Sequence, residues 1–75
     1  MIHIGRLIKQ IFELQPKSHT IVWFASKLNC RRGNIYDIFN RPTIDTELLM
    51  RISQVLNHDF FKDISEQIDF NAESV

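Results

Sequence analysis

Apolar positions along this chain recur every three or four residues, and short polar links interrupt the recurrence. Ile4, Leu7, Ile8, Ile11 and Phe12 keep helical spacing, which predicts a first helix from about Ile2 to Leu14. Pro16 ends it, because the residue before a proline is pushed out of the helical region. Lys17 to His19 form a link. Thr20 is placed to cap a second helix, from about Ile21 to Leu28, with Ile21, Phe24, Ala25 and Leu28 turned inward. A third helix opens at Arg31 or Arg32 and runs to about Phe39, burying Ile35, Ile38 and Phe39. Arg41-Pro42-Thr43 reads as a turn. Asp45 or Thr46 caps a fourth helix with the apolar stripe Leu48, Leu49, Ile52, Val55 and Leu56, closed by Asn57-His58. Asp59 caps a short fifth helix containing Phe60, Phe61 and Ile64, and an acidic tail over 65–75 either extends or frays it. No run alternates in the manner of a strand. The expectation is one all-α domain over 1–75, its core from about 4 to 64.

The break between the second and third helices is the most specific feature. It contains no proline, and Asn29 is the residue type best able, after glycine, to take a positive φ at a helix end. Ala25 stands five positions before Cys30 and Ile35 five after it. Such spacing suits two helices that cross closely at a sharp angle, and one common use of that pair is to set the second helix into a DNA groove.

Size and composition narrow the class. A chain of 75 residues buries only about 60% of its unfolded surface, so its core must be efficient. Two glycines and two prolines leave little room for long loops. The single Cys30 forms no internal disulfide or zinc knuckle, so packing must hold the fold. MIHIGRLIKQ lacks the basic head and apolar run of a signal peptide, and no stretch is long enough to span a membrane. A soluble cytoplasmic protein is expected. The formal net charge is zero, which argues against a general nucleic-acid binder, but the charges are segregated. Lys17, Lys27, Arg31, Arg32, Arg41 and Arg51 outnumber Asp37, Asp45 and Glu47 across the helical pair and its flank. Beyond Ile52, Lys62 stands against Asp59, Asp63, Glu66, Asp69 and Glu73. The basic segment is either a partner-binding face or a solvated one.

From about Ile4 to Ile64 the chain resembles the lambda-repressor and Cro family of helix-turn-helix regulators, often called the Xre family. FASKLNCRRGNIYDIFN and TELLMRISQVLNHDFFKDI carry the likeness most strongly. Phe24-Ala25 takes the family's Leu-Ala position, Asn29 the place of the turn glycine, Cys30 the apolar turn position and Ile35 the central apolar position of the recognition helix. Leu48-Leu49, Ile52 and Leu56 match the fourth helix. Arg41-Pro42 replaces a frequent glycine after the recognition helix, so the following loop is expected to take its own course. The resemblance implies a compact five-helix lambda-repressor-like domain, its helix-turn-helix formed by helices two and three, acting as a homodimer on double-stranded DNA in transcriptional regulation. The family also includes antitoxins and phage or mobile-element repressors.

On that reading the solvent face of helix three reads bases. Arg32 in its first turn can make a bidentate pair with guanine, worth about 1–3 kcal/mol of discrimination. Gly33 either lets the backbone approach DNA closely or is a weak first-turn position of little cost. Asn34 either reads an adenine edge, contacts phosphate or helps to cap the helix. Tyr36 either meets a base methyl or phosphate, or packs on Trp23. Asp37 either accepts from a cytosine amine or, the preferred reading, pairs with a nearby arginine. Thr20, Lys27, Arg31, Asn40 and Arg41 are the candidate phosphate contacts, Thr20 also serving as a cap. Trp23 packs on helix one or covers a phosphate-facing edge.

Cys30 reads as a small buried residue rather than a reactive thiol. His3, His19 and His58 lack metal-ligand spacing and read as surface or capping residues. No paired carboxylates, nucleophile elbow or phosphate loop appears, so neither an enzyme nor a cofactor is expected. Phe60, Phe61, Ile64, Ile68 and Phe70 form a second aromatic cluster, in which Phe60 and Ile64 close the domain and Phe61, Ile68 and Phe70 are candidates for a dimer face. The alternative function is an antitoxin-like or other interaction module of the same fold, with a protein partner at this acidic, apolar end.

Overall fold

The computed structural model describes residues 2–70, which hold five helices and no strand. They are α1 (Ile4–Glu13), α2 (Ile21–Lys27), α3 (Arg32–Asn40), α4 (Thr46–Leu56) and α5 (Phe60–Glu66). Four of the starts are set by a side chain that accepts from the backbone three residues on. Thr20 Oγ1 accepts from Trp23 N–H at 3.1 Å, Asp45 Oδ1 from Leu48 N–H at 2.8 Å, and Asp59 Oδ1 from Lys62 N–H at 3.1 Å. The fourth is His3, whose Nδ1 accepts from Arg6 N–H at 3.0 Å. His3 is extended (φ −103°), so α1 begins at Ile4 rather than at Ile2.

Asparagine closes two of the helices. Among the described residues, Asn29 (φ 55°) and Asn57 (φ 52°) are the positive-φ residues. After each, the chain folds back on the helix it has left: Cys30 N–H donates to Ala25 O at 2.9 Å and His58 N–H to Ser53 O at 3.0 Å. The connection from α2 to α3 is thereby limited to Leu28–Arg31.

The core draws on all five helices. Ile8, Phe24, Ile35, Leu49, Ile52, Leu56 and Phe60 are its fully buried large side chains. Phe12 covers one side, stacked on Phe24 at 5.2 Å and set against Phe39 at 5.8 Å. Ile21 and Val55, expected to face inward, are half-buried at its margin. Leu48 is half-buried too, beside Arg51 and Cys30.

Polar links tie the helix ends together. Arg51 on α4 donates through Nη2 to Leu28 O at 2.7 Å, satisfying a carbonyl at the end of α2. Gln15 Nε2 donates to Leu56 O at 3.1 Å, and Gln15 Oε1 lies 3.1 Å from His19 Nδ1. Since that amide oxygen only accepts, the neutral His19 ring carries its proton on Nδ1. His19 in turn stacks on Trp23 at 3.7 Å, with the rings 6° from parallel. Trp23 thus takes its closest ring partner from the link before α2.

Backbone meets backbone where α1 crosses the end of α3. Gly5 N–H donates to Arg41 O at 2.8 Å and Ile4 N–H to Pro42 O at 3.1 Å, so α1 begins on the chain that leaves α3. With the His3 cap, the opening amides of α1 all have acceptors. A Cβ on Gly5 would collide with the carbonyl oxygens of Ile38 and Phe39 and would lie 2.6 Å from that of Arg41. Intrinsic propensity favours alanine over glycine in a helix by up to about 1 kcal/mol. Overpacking against rigid backbone costs typically about 1–3 kcal/mol and wins here. Gly5→Ala is therefore expected to lower the unfolding free energy by up to about 2 kcal/mol net; an equal or higher urea midpoint would show that the two helix ends have room to separate.

Candidate nucleic-acid interface

α3 divides cleanly into two faces. Ile35, Ile38 and Phe39 are buried. Arg32, Gly33, Asn34, Tyr36, Asp37, Asn40 and the following Arg41 are exposed, as are Thr20, Lys27 and Arg31. Every residue assigned above to base or phosphate contact therefore reaches solvent. Among the described residues, no side-chain hydrogen bond or ion pair engages Arg31, Arg32, Asn34, Asp37, Asn40 or Arg41.

The exposed face is a ridge between two grooves. On the α1 side a groove of about 550 Å³ is bordered by Arg6 and Lys9 opposite Tyr36 and Asn40. On the α4 side a smaller one of about 290 Å³ brings Asn34, Asp37 and Arg41 beside Asn29 and Arg51. Arg32 and Gly33 line neither. A Cβ on Gly33 would meet nothing within 4 Å.

Three side-chain expectations are corrected. Asp37 makes no ion pair with an arginine; it shares the smaller groove with Arg41 and Arg51, and Arg51 is instead committed to Leu28 O. Tyr36 does not pack on Trp23, whose neighbours are His19 and Phe24; it lies edge-on to Phe39 at 6.5 Å and is 55% exposed. Asn34 does not cap α3 with its side chain: α3 follows Arg31 with no side-chain cap, and Asn34 contributes only a backbone bond to Arg31 O at 3.0 Å. Thr20 serves α2 as an acceptor, which leaves its hydroxyl proton for an outside acceptor.

Arg6, Lys9 and Arg51 border the same surface, beyond the residues assigned to base and phosphate contact. Arg6 and Lys9 are three apart and so share one side of α1. Which helix that side meets depends on the α1–α3 packing, which spacing does not reveal.

The C-terminal aromatic group is not one cluster. Phe60 is fully buried. Phe61 and Ile64 are half-buried and line an apolar groove of about 370 Å³ with Ile2, Ile44 and Leu49. Ile68 and Phe70, past the end of α5, are 52% and 85% exposed. Backbone leaving α5 separates these last two from the core.

Cys30 is half-buried; burial pushes its thiol above the ordinary range and the nearby Arg51 charge opposes this, burial being the larger effect. That favours the protonated, unreactive form. Among the described residues no group of three or more His, Cys, Asp or Glu side chains is placed to hold a metal ion, and no helix is long and apolar enough to cross a membrane. No family model matches the chain, and no curated protein or solved structure matches it either.

The open space at Gly33 means that nothing inside the chain requires a glycine there. Gly33→Ala is expected to raise stability, by up to about 1 kcal/mol, through helix propensity and a less flexible unfolded chain. A urea midpoint below that of the unsubstituted protein would contradict this.

Proposed function

We propose that this chain is a sequence-specific double-stranded DNA-binding regulator of the lambda-repressor and Cro kind, with α2 and α3 as its helix-turn-helix and α3 in the major groove. The observation that carries this reading is the exposed face of α3, where Arg32, Asn34, Asp37 and Asn40 stand without side-chain partners among the described residues while the opposite face is buried. These are types that hydrogen-bond base edges: arginine to guanine, asparagine to adenine, aspartate to the cytosine amine. Lys27, Arg31, Asn40 and Arg41 supply phosphate contacts around the base readers, and the uncapped first turn of α3 adds amide donors beside Arg31 and Arg32.

Charge usage supports the same side. Asp45 and Asp59 are occupied as helix caps, and Asp63 is 2.5 Å from His58. Several acidic groups thus serve the fold, while the arginines of α3 face outward unpaired among the described residues. Binding as a homodimer would place two copies of α3 in successive major grooves about 34 Å apart. Occupying an operator then represses by blocking access.

The 85% exposure of Phe70 favours a second reading, in which the C-terminal end docks a protein partner, as an antitoxin docks a toxin. The two are separable by binding selection from random duplexes. An enriched motif is expected, and Arg32→Ala should relax preference at one position of it by about 1–3 kcal/mol without unfolding the protein. A selection that enriches no motif would remove the DNA reading.

A further inference from the structure

We propose that the groove between α1 and α3 is a second track for the DNA sugar–phosphate backbone, with Arg6 and Lys9 as its cations. The proposal rests on α3 being the DNA-facing helix and extends contact to a helix that this reading leaves unused. Arg6 and Lys9 are exposed, have no side-chain partner among the described residues, and face Tyr36 and Asn40 across the groove. Tyr36 and Asn40 belong to both the groove wall and the exposed face of α3, so a strand passing over Asn40 meets the two cations without leaving the surface.

The neighbouring groups reinforce donation. A backbone N–H only donates, so the Arg6 N–H bond fixes His3 Nδ1 as acceptor. The neutral ring then carries its proton on Nε2, another donor at the groove, where His3 forms part of the wall. Tyrosine hydroxyl, asparagine amide, arginine and lysine are all types that contact phosphate oxygens. The carboxylate on the wall is Glu13, outnumbered by the two cations. A helix C-terminus normally repels phosphate through its partial negative charge. Here the carbonyls of Arg41 and Pro42, where the chain leaves α3, accept from the positive start of α1, which offsets that repulsion.

Salt titration of duplex binding tests the proposal, using a selected duplex and a scrambled one. Each phosphate contact contributes about −0.9 to the slope of log affinity against log salt. The double variant Arg6→Gln/Lys9→Gln should make that slope shallower by about 1–2 and weaken both duplexes by the same factor, with circular dichroism unchanged. Lys62→Gln, on α5 and outside the groove, should leave the slope as it was. Glu13→Gln should tighten both duplexes. A folded double variant with an unaltered slope, or a slope that changes as much with Lys62→Gln, overturns the groove proposal while leaving α3 as reader. Absence of salt-dependent binding by the unsubstituted protein overturns the reading of α3 and the groove together.

Discussion

The start of α1 is locked onto the end of α3 by two backbone hydrogen bonds, and the side chain that would prevent them is missing at Gly5. Three consequences follow from this joint. It supplies acceptors for amides that the first turn of any helix leaves open. It sets opposite helix-dipole ends against each other. It also fixes how α3 lies, since α1 grips its C-terminal end while Ile35 and Ile38 hold its inner face in the core. The exposed face of α3 is therefore presented by a rigid frame, which is what positioning side chains against base edges demands.

The other end of α3 is fixed more lightly. Asn29 turns the chain with a left-handed backbone, and Arg51 reaches from α4 to the last carbonyl of the turn-bearing helix. That contact gives Arg51 a structural occupation although it stands among the basic residues. Of the two arginines that share a groove with Asp37, it leaves Arg41 as the uncommitted one. Cys30 sits beside the same guanidinium as a half-buried thiol rather than as a nucleophile.

Local chemistry made much of the architecture legible in the sequence. The caps Thr20, Asp45 and Asp59 act three residues ahead, and the asparagine stops at 29 and 57 depend on backbone conformations few other residues adopt. Apolar periodicity likewise placed Ile35, Ile38 and Phe39 inside. What escaped is what depends on contacts between distant segments. Gly5 looks dispensable until Arg41 lies against it, and Gln15 has no evident task until Leu56 offers a carbonyl. Trp23 and Tyr36 are both bulky aromatics next in sequence to a core residue, and only the packing decides that one stacks on His19 and the other leans on Phe39. For the candidate site, sequence spacing identified the exposed face of α3, but not the α1 wall beside it, because that wall is created by the Gly5 joint.

On the proposed function, the exposed face of α3, unpartnered among the described residues, meets a DNA duplex. Mapping backbone amide chemical shifts while a selected duplex is added tests it most directly. The largest changes are expected between Arg32 and Asn40, with smaller ones at the start of α1 and almost none over Phe60–Glu66. Changes confined to α5 and Phe70, with α3 silent, would contradict it.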